Sequence, residues 1–159
     1  MLEHGEISYD LLPFLFKPND PVYTTCFGTG KPRCVKYDAG EEKTKSNGEK
    51  FYQLDCRYFD FDGKIVGEVS TSIDIPKFRG YVLINRLNAF SLPYHSASSR
   101  IRAELIDCGR RFLFMCGTYH RHCCGNAFLI NKDKLVKVSV DSRVMIDASF
   151  SREMNPNYA

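Results

Sequence analysis

The sequence predicts a strand-rich α+β domain, with about eight short, mainly antiparallel strands and one main helix near residues 98–114. Three observations carry that prediction. The chain has 159 residues, which at roughly 100 to 200 residues per domain makes residues 1–159 a single domain. It holds 12 Phe and 9 Tyr but no Trp, a mix that suits half-buried strands better than a helical bundle. Finally, β-forming runs are separated by Gly, Pro and Asp-Gly signals, and only residues 98–114 show apolar side chains at helical spacing. Hydrophobic residues make up 43% of the chain, enough for a core and far from the composition of a disordered segment.

In chain order, Ile7 to Lys17 is apolar at Ile7, Leu11, Leu12, Phe14, Leu15 and Phe16 and is interrupted by Pro13, which predicts a short helical or irregular packing segment closed by Pro18. Val22 to Phe27 and Arg33 to Tyr37 form a predicted hairpin around Gly28-Thr29-Gly30-Lys31-Pro32. Asp38 to Lys50 is charged and nearly devoid of apolar residues, so it is expected as a surface loop or a polar hairpin tip. Phe51 to Phe61 and Lys64 to Ile75 flank Asp62-Gly63, the pattern of a two-residue type I′ turn with positive φ at both central residues. Pro76 to Gly80 ends that strand. Tyr81 to Leu87 is a further strand, and Ala89 to His95 an extended connector.

Ser98 is the expected N-cap of the helix, with Ile101, Leu105, Cys108 and Phe112 on its core face. Gly109 interrupts that helix at a cost of about 1 kcal/mol relative to Ala, as glycines at close packing or helix ends do. Thr118 to Ile130 and Lys134 to Ala148 complete the strands.

The net charge of +3 is too small for a dedicated nucleic-acid binder. Its distribution is uneven: residues 1–79 carry 11 basic and 13 acidic side chains, residues 80–159 carry 11 and 6. Seven cysteines without regular spacing imply no disulfide framework. No signal peptide, apolar run of transmembrane length or Asn-x-Ser/Thr sequon is seen, so the expectation is an intracellular protein, of cytoplasm or nucleus, with no membrane insertion.

Four patterns bear on chemistry. Gly28-Thr29-Gly30-Lys31 is not a phosphate loop, because Thr25 stands where the first glycine belongs and Pro32 where a hydroxyl is needed. Asp60-x-Asp62-Gly63 resembles the middle of a calcium loop, but Tyr58 and Val69 occupy the first and last ligand positions. From Cys116 to Cys124 lie five soft or borderline ligands, of which His120, His122 and Cys124 share one face of an extended strand while Cys123 turns away. Those three are the candidate metal ligands; the balance of the reading is no metal, no cofactor and no catalytic residue. His95 could act as a base, although a hydrogen-bonded histidine at a loop–helix junction is the expected role. Arg100, Arg102, Arg110 and Arg111 could form a weak nucleic-acid surface, which the modest net charge argues against.

The order of motifs has a further meaning. Phe16-Lys17-Pro18, Tyr58-x-Asp60-x-Asp62-Gly63-Lys64-x-x-Gly67 and Ile75-Pro76-x-Phe78-x-Gly80 come first. Leu92-x-Tyr94-His95, Glu104-Leu105-Ile106-x-x-Gly109-x-x-Phe112 and Gly125 follow. Arg143-Val144-Met145-Ile146-Asp147 and Asn155-Pro156-Asn157-Tyr158 complete the series. Together, from about residue 11 to 158, they resemble the domain of unknown function that lies upstream of the ATPase core in a family of fungal AAA-type ATPases. The resemblance marks Asp62, Gly63, Phe78, Gly80, His95, Gly109, Arg143, Asp147, Pro156 and Tyr158 as structural motif residues.

This chain carries neither a Walker A nor a Walker B motif, so the AAA core, and with it ATP, is expected to be absent. It reads as the isolated N-terminal module, a truncated gene product or a gene fragment. The resemblance implies a non-enzymatic accessory domain that binds a protein partner, or regulates an AAA module, with an edge strand as one means of accepting an extended peptide. The alternatives are a thiol- or metal-dependent hydrolase using the Cys116–Cys124 cluster and a nucleic-acid module.

Overall fold

A computed structural model describes residues 5–131 and 134–154. Pro21–Thr25 (β2), Pro32–Thr44 (β3), Lys50–Phe61 (β4), Val66–Pro76 (β5) and Phe90–Ser91 (β7) form one antiparallel sheet, in the order β5-β4-β3-β2-β7. Two strands of three residues, Glu6–Ser8 (β1) and Tyr81–Leu83 (β6), pair separately. Tyr119–Asn131 (β8) and Lys134–Ile146 (β9) make a hairpin of their own. The helices are Ser98–Phe114 (α1) and Ala148–Met154 (α2), with short 3-10 turns at Tyr9–Phe14, Ile84–Arg86 and Leu92–Tyr94. The mainly antiparallel, strand-rich α+β class holds, with nine strands among the described residues, five of them 11 to 13 residues long rather than short.

Alternation along the strands sorts the large sheet into two faces. Val22, Val35, Tyr37, Tyr52, Leu54, Cys56 and Ile75 are buried, and the covering layer is the N-terminal segment, through Ile7, Tyr9, Leu12, Leu15 and Phe16, together with Ile84 and Ala89. Aromatic contacts fix this layer: Phe16 stacks on Tyr37 at 5.3 Å and Phe78 meets Tyr9 edge-on at 5.6 Å. Each fully buried Leu or Ile is worth about 1.5–3 kcal/mol of apolar transfer. Over β4 and β5 the opposite face is largely polar. Arg57 pairs there with Asp38 and Glu68, and Gln53 accepts from Lys43 and donates to Asp74.

A bulge at Asp38 shifts the register, so that Tyr37 faces Cys56 while Ala39 faces Asp55. One inserted residue re-aims everything beyond it. Gly40 is thereby placed under the Tyr52 ring, where an added Cβ would lie 2.8 Å from the phenol oxygen. The close approach requires glycine.

Several sequence expectations change. Asp38 to Lys50 is not a loop: β3 runs on to Thr44, β4 starts at Lys50, and only Lys45 to Glu49 turn, closed by the Lys45 N–H on the Glu49 carbonyl at 2.8 Å. The polar hairpin tip was the better of the two readings. The turn after β4 is not type I′, because Gly63 has φ +94° while Asp62 has no positive φ. Asp62 instead flanks the turn, its Oδ1 accepting the N–H groups of Lys64 and Ile65 at 2.7 Å each. Tyr81 to Leu87 is strand only to Leu83, and the connector from Ala89 contains β7, which pairs with β2.

The helix has the expected bounds, but Ala97 and not Ser98 is its N-cap, and the cap has no side-chain hydrogen bond. The predicted core face also fails beyond its first turn. Ile101 is buried and Leu105 half-buried, whereas Cys108 and Phe112 are exposed. The physical reason is length: only the start of α1 lies against the sheet, near β3, and the later turns run past it.

Candidate interaction surface

The unfilled helix face opens an apolar surface. Leu105, Ile106 and Arg102 close one side of a cleft of about 270 Å³ whose floor is Pro21, Cys34 and Leu92. Burial there pushes the Cys34 thiol above its ordinary pKa. Past this cleft Ile106, Phe112, Leu113 and Phe114 face outward, with Leu113 and Phe114 56% and 67% exposed. Phe114 stacks on Tyr119 at 6.1 Å and so joins the helix to the hairpin.

Register divides the hairpin into two faces. Tyr119/Ile146, Arg121/Val144, Cys123/Ser142, Gly125/Val140, Ala127/Val138, Leu129/Val136 and Asn131/Lys134 lie on one, whose charged side chains are Arg121 and Lys134. His120/Met145, His122/Arg143, Cys124/Asp141, Asn126/Ser139 and Phe128/Lys137 lie on the other. Phe128, Leu129, Val136 and Val138 are all exposed. An isolated two-stranded hairpin without a covering layer is marginal in water.

The hairpin and α2 touch the large sheet at two turns. Leu135 lies against Gly28, where an added Cβ would sit 3.4 Å from it, and the Ser149 backbone lies over Gly63. Asp147 starts α2: its Oδ1 accepts the Phe150 N–H at 2.9 Å and its Oδ2 the Thr118 hydroxyl at 2.9 Å, an N-cap arrangement. The Phe150 N–H first, then the Thr118 hydroxyl, hold this carboxyl below the usual carboxylate range. Phe150 and Met154 of α2 are exposed as well.

The remaining motif residues are placed as follows. His95 Nδ1 accepts the Ala97 N–H at 3.0 Å and its ring packs on Tyr23 at 4.7 Å, which makes it part of the junction before α1. Phe78 packs on the core and Gly80 turns the chain with φ +74°. Arg143 is exposed beside His122 in the register. Pro156 and Tyr158 lie outside the described residues. Asp60 accepts its neighbour Phe61 N–H at 2.8 Å.

The alternation of His120, His122 and Cys124 on one strand face is as expected, yet these side chains do not converge. The outer two, His120 and Cys124, are four strand residues and so about 13 Å apart along the backbone, too far for all three to reach one ion with bonds near 2.0–2.3 Å. His122 Nε2 is instead 2.9 Å from Asp141. Among the described residues no three His, Cys, Asp or Glu side chains are grouped to hold a metal. The arginines of α1 are likewise dispersed: Arg100 pairs with Glu104 at 3.7 Å, Arg111 with Asp107 at 2.5 Å, and Arg102 borders the apolar cleft.

Sequence reasoning missed Cys26. In the β2–β3 turn its thiol is held below its ordinary pKa by a hydrogen bond from the Thr29 hydroxyl, helped by the Thr29 N–H, and it is partly exposed. Cys56, in the core, is pushed up to about 11 by burial. Only Thr29, three residues on, hinted at the difference. The open edge of the large sheet is β5, 11 residues long, whereas the other edge, β7, has two.

These features define a strand-rich α+β domain with an unfilled apolar flank and no converged set of metal ligands among the described residues. The chain belongs to the family of the domain of unknown function DUF7025, which matches residues 1–96. No curated protein and no solved structure matches the chain. The family match covers β1 to β7 and ends just before α1. It thus contains nearly all of the core, while the motifs from Glu104 onward lie beyond it. No helix among the described residues is long and apolar enough to cross a membrane.

Proposed function

We propose that this chain is a non-enzymatic, protein-binding or regulatory module that works beside an AAA-type ATPase. The observation that carries the reading is the continuous apolar surface from Ile106 through Phe114 and Tyr119 to the hairpin, attached to a sheet whose own core is complete. Exposed apolar patches of this extent mark interaction sites. The association with an AAA motor rests on the motif resemblance; the family matched over residues 1–96 is one of unknown function.

The hydrolase alternative has less behind it. A thiol paired with a histidine base would lie within hydrogen-bond reach of it. Among the described residues, Cys116 donates to the Phe112 carbonyl and His122 is engaged with Asp141. The test is site-specific photo-cross-linking in cells, with a photoreactive residue at Leu113 and, as control, at Glu49 in the β3–β4 turn. The module reading expects protein adducts from position 113 and none from 49. No adduct at 113, or equal adducts at both, would overturn it.

A further inference from the structure

We propose that the partner presents an acidic, extended protein segment to a groove on the outer face of the large sheet, in front of α1; the inference deepens the module reading above and rests on it. The cleft of about 270 Å³ beside Arg102, Leu105 and Ile106 does not end at the helix. A second cavity of about 200 Å³ shares Pro21 and Cys34 with it and runs on to Arg57, Phe59 and Glu68. Register explains the continuity. Pro21 faces Lys36 and Lys36 faces Arg57, so the three form one row across β2, β3 and β4, and Cys34 lies two residues along β3 on the same face. With strands about 4.8 Å apart, that row spans roughly 10 Å, the reach of about three extended residues. The helix forms the wall, because Arg102, Leu105 and Ile106, three and four residues apart, share one side of it.

Apolar contact supplies the anchor. Pro21, Leu92, Leu105 and Ile106 line one end of the groove, and Phe59, 62% exposed, lies at the other.

Charge selects the occupant. The side chains lining the two cavities include three cations, Lys36, Arg57 and Arg102, and one anion, Glu68. Arg57 is already neutralised by Asp38 and Glu68. Among the described residues no carboxylate pairs with Lys36 or Arg102, which leaves one uncompensated cation in each cavity. Complementary charge sets partner choice and orientation, so the segment carries an apolar side chain flanked by Asp or Glu. A second copy is the wrong occupant, since a twofold contact over this groove would bring the uncompensated cations of both copies together. A nucleic-acid strand fits less well, because the cleft beside α1 is lined without an aromatic ring on which a base could stack.

The test is selection from a displayed library of random peptides on the purified full chain, followed by fluorescence anisotropy with the recovered sequence. Recovered peptides are expected to carry Asp or Glu on both sides of an apolar residue. Arg102→Glu and Lys36→Glu, both at exposed positions, should keep the fold by circular dichroism, and each should weaken the recovered peptide about tenfold or more. The double reversal should select Lys or Arg in those places instead. Bound peptide should also shield Cys34, which lines both cavities, from alkylation while leaving Cys26 reactive. No recovered peptide, recovered peptides without acids, or an affinity indifferent to both reversals overturns the proposal. So does a doubled mass in light scattering, or retention of single-stranded RNA, that the same reversals abolish. The Leu113 cross-linker separates the two readings. Adducts there with no recovered peptide overturn the groove and leave the module standing, whereas no adduct and no peptide overturn both.

Discussion

Replacing Gly63 with alanine tests how the C-terminal helix is joined to the sheet. Gly63 has φ +94°, and a Cβ placed there would lie 2.5 Å from both the N and the Cα of Ser149. Two costs follow. A non-glycine residue held at positive φ costs about 1–2 kcal/mol, and a clash with backbone, which cannot rotate away, adds roughly 1–3 kcal/mol unless α2 moves. Gly30 provides the comparison, since it has φ +64° with nothing within 4 Å of its added Cβ, so Gly30→Ala carries the first cost alone.

Thermal unfolding followed by circular dichroism reads the difference. At about 2–4 °C per kcal/mol for a chain of this size, Gly30→Ala should lower Tm by roughly 2–8 °C and Gly63→Ala by several degrees more. Ser149→Gly should not rescue Gly63→Ala, because the obstructing atoms belong to the backbone. Equal Tm values for the two alanine variants would show that α2 does not sit on this turn, and would refute the reasoning.

Other consequences are more local. Leu54 is fully buried, so Leu54→Ala should cost about 2–5 kcal/mol, read by urea unfolding; a loss below 1 kcal/mol would remove it from the core. Brief alkylation of the native chain near pH 7.5, followed by peptide mass spectrometry, should modify Cys26 well before Cys56, because the Thr29 hydroxyl favours the Cys26 thiolate while burial opposes that of Cys56; equal rates would contradict the two environments. Asp147 and Asp62 are both held below the usual carboxylate range, Asp147 by the Phe150 N–H first and Asp62 by the Ile65 N–H first. Their contribution is therefore present above the unfolded pKa, about 3.9, and is lost as pH falls through their lower folded values. Acid titration should release the Phe150 and Ile65 amide signals together below about pH 4, and Asp147→Asn should blunt the Phe150 response.

The sequence revealed elements better than it revealed what covers them. The bounds of α1 were legible because Ile101, Leu105, Cys108 and Phe112 repeat at helical spacing up to Phe114. The fate of that face was not, since periodicity identifies an apolar stripe but cannot say whether another element reaches it; Cys108 and Phe112 are left outside. The β4–β5 pairing was visible from two alternating runs about Asp62-Gly63, but the turn conformation depended on the Asp62 side chain taking the Lys64 and Ile65 N–H groups. The bulge at Asp38 had no signature, because one extra residue in a charged run changes no pattern. β1 and β6, three residues each, are too short to show a period. At the hairpin, alternation placed His120, His122 and Cys124 on one face, while the ladder keeps them apart along the strand.

Native-state hydrogen exchange of the dilute chain tests most directly that a complete sheet carries an open apolar flank. Amides of Val35, Tyr52 and Leu54 should exchange slowest, near the global unfolding limit, while those of Phe112 to Phe114 and of the hairpin strands from Cys123 to Leu129 and from Leu135 to Val138 should exchange orders of magnitude faster. Hairpin and late-helix amides as protected as Leu54 in the monomer would mean that the flank is already covered, and would contradict the account.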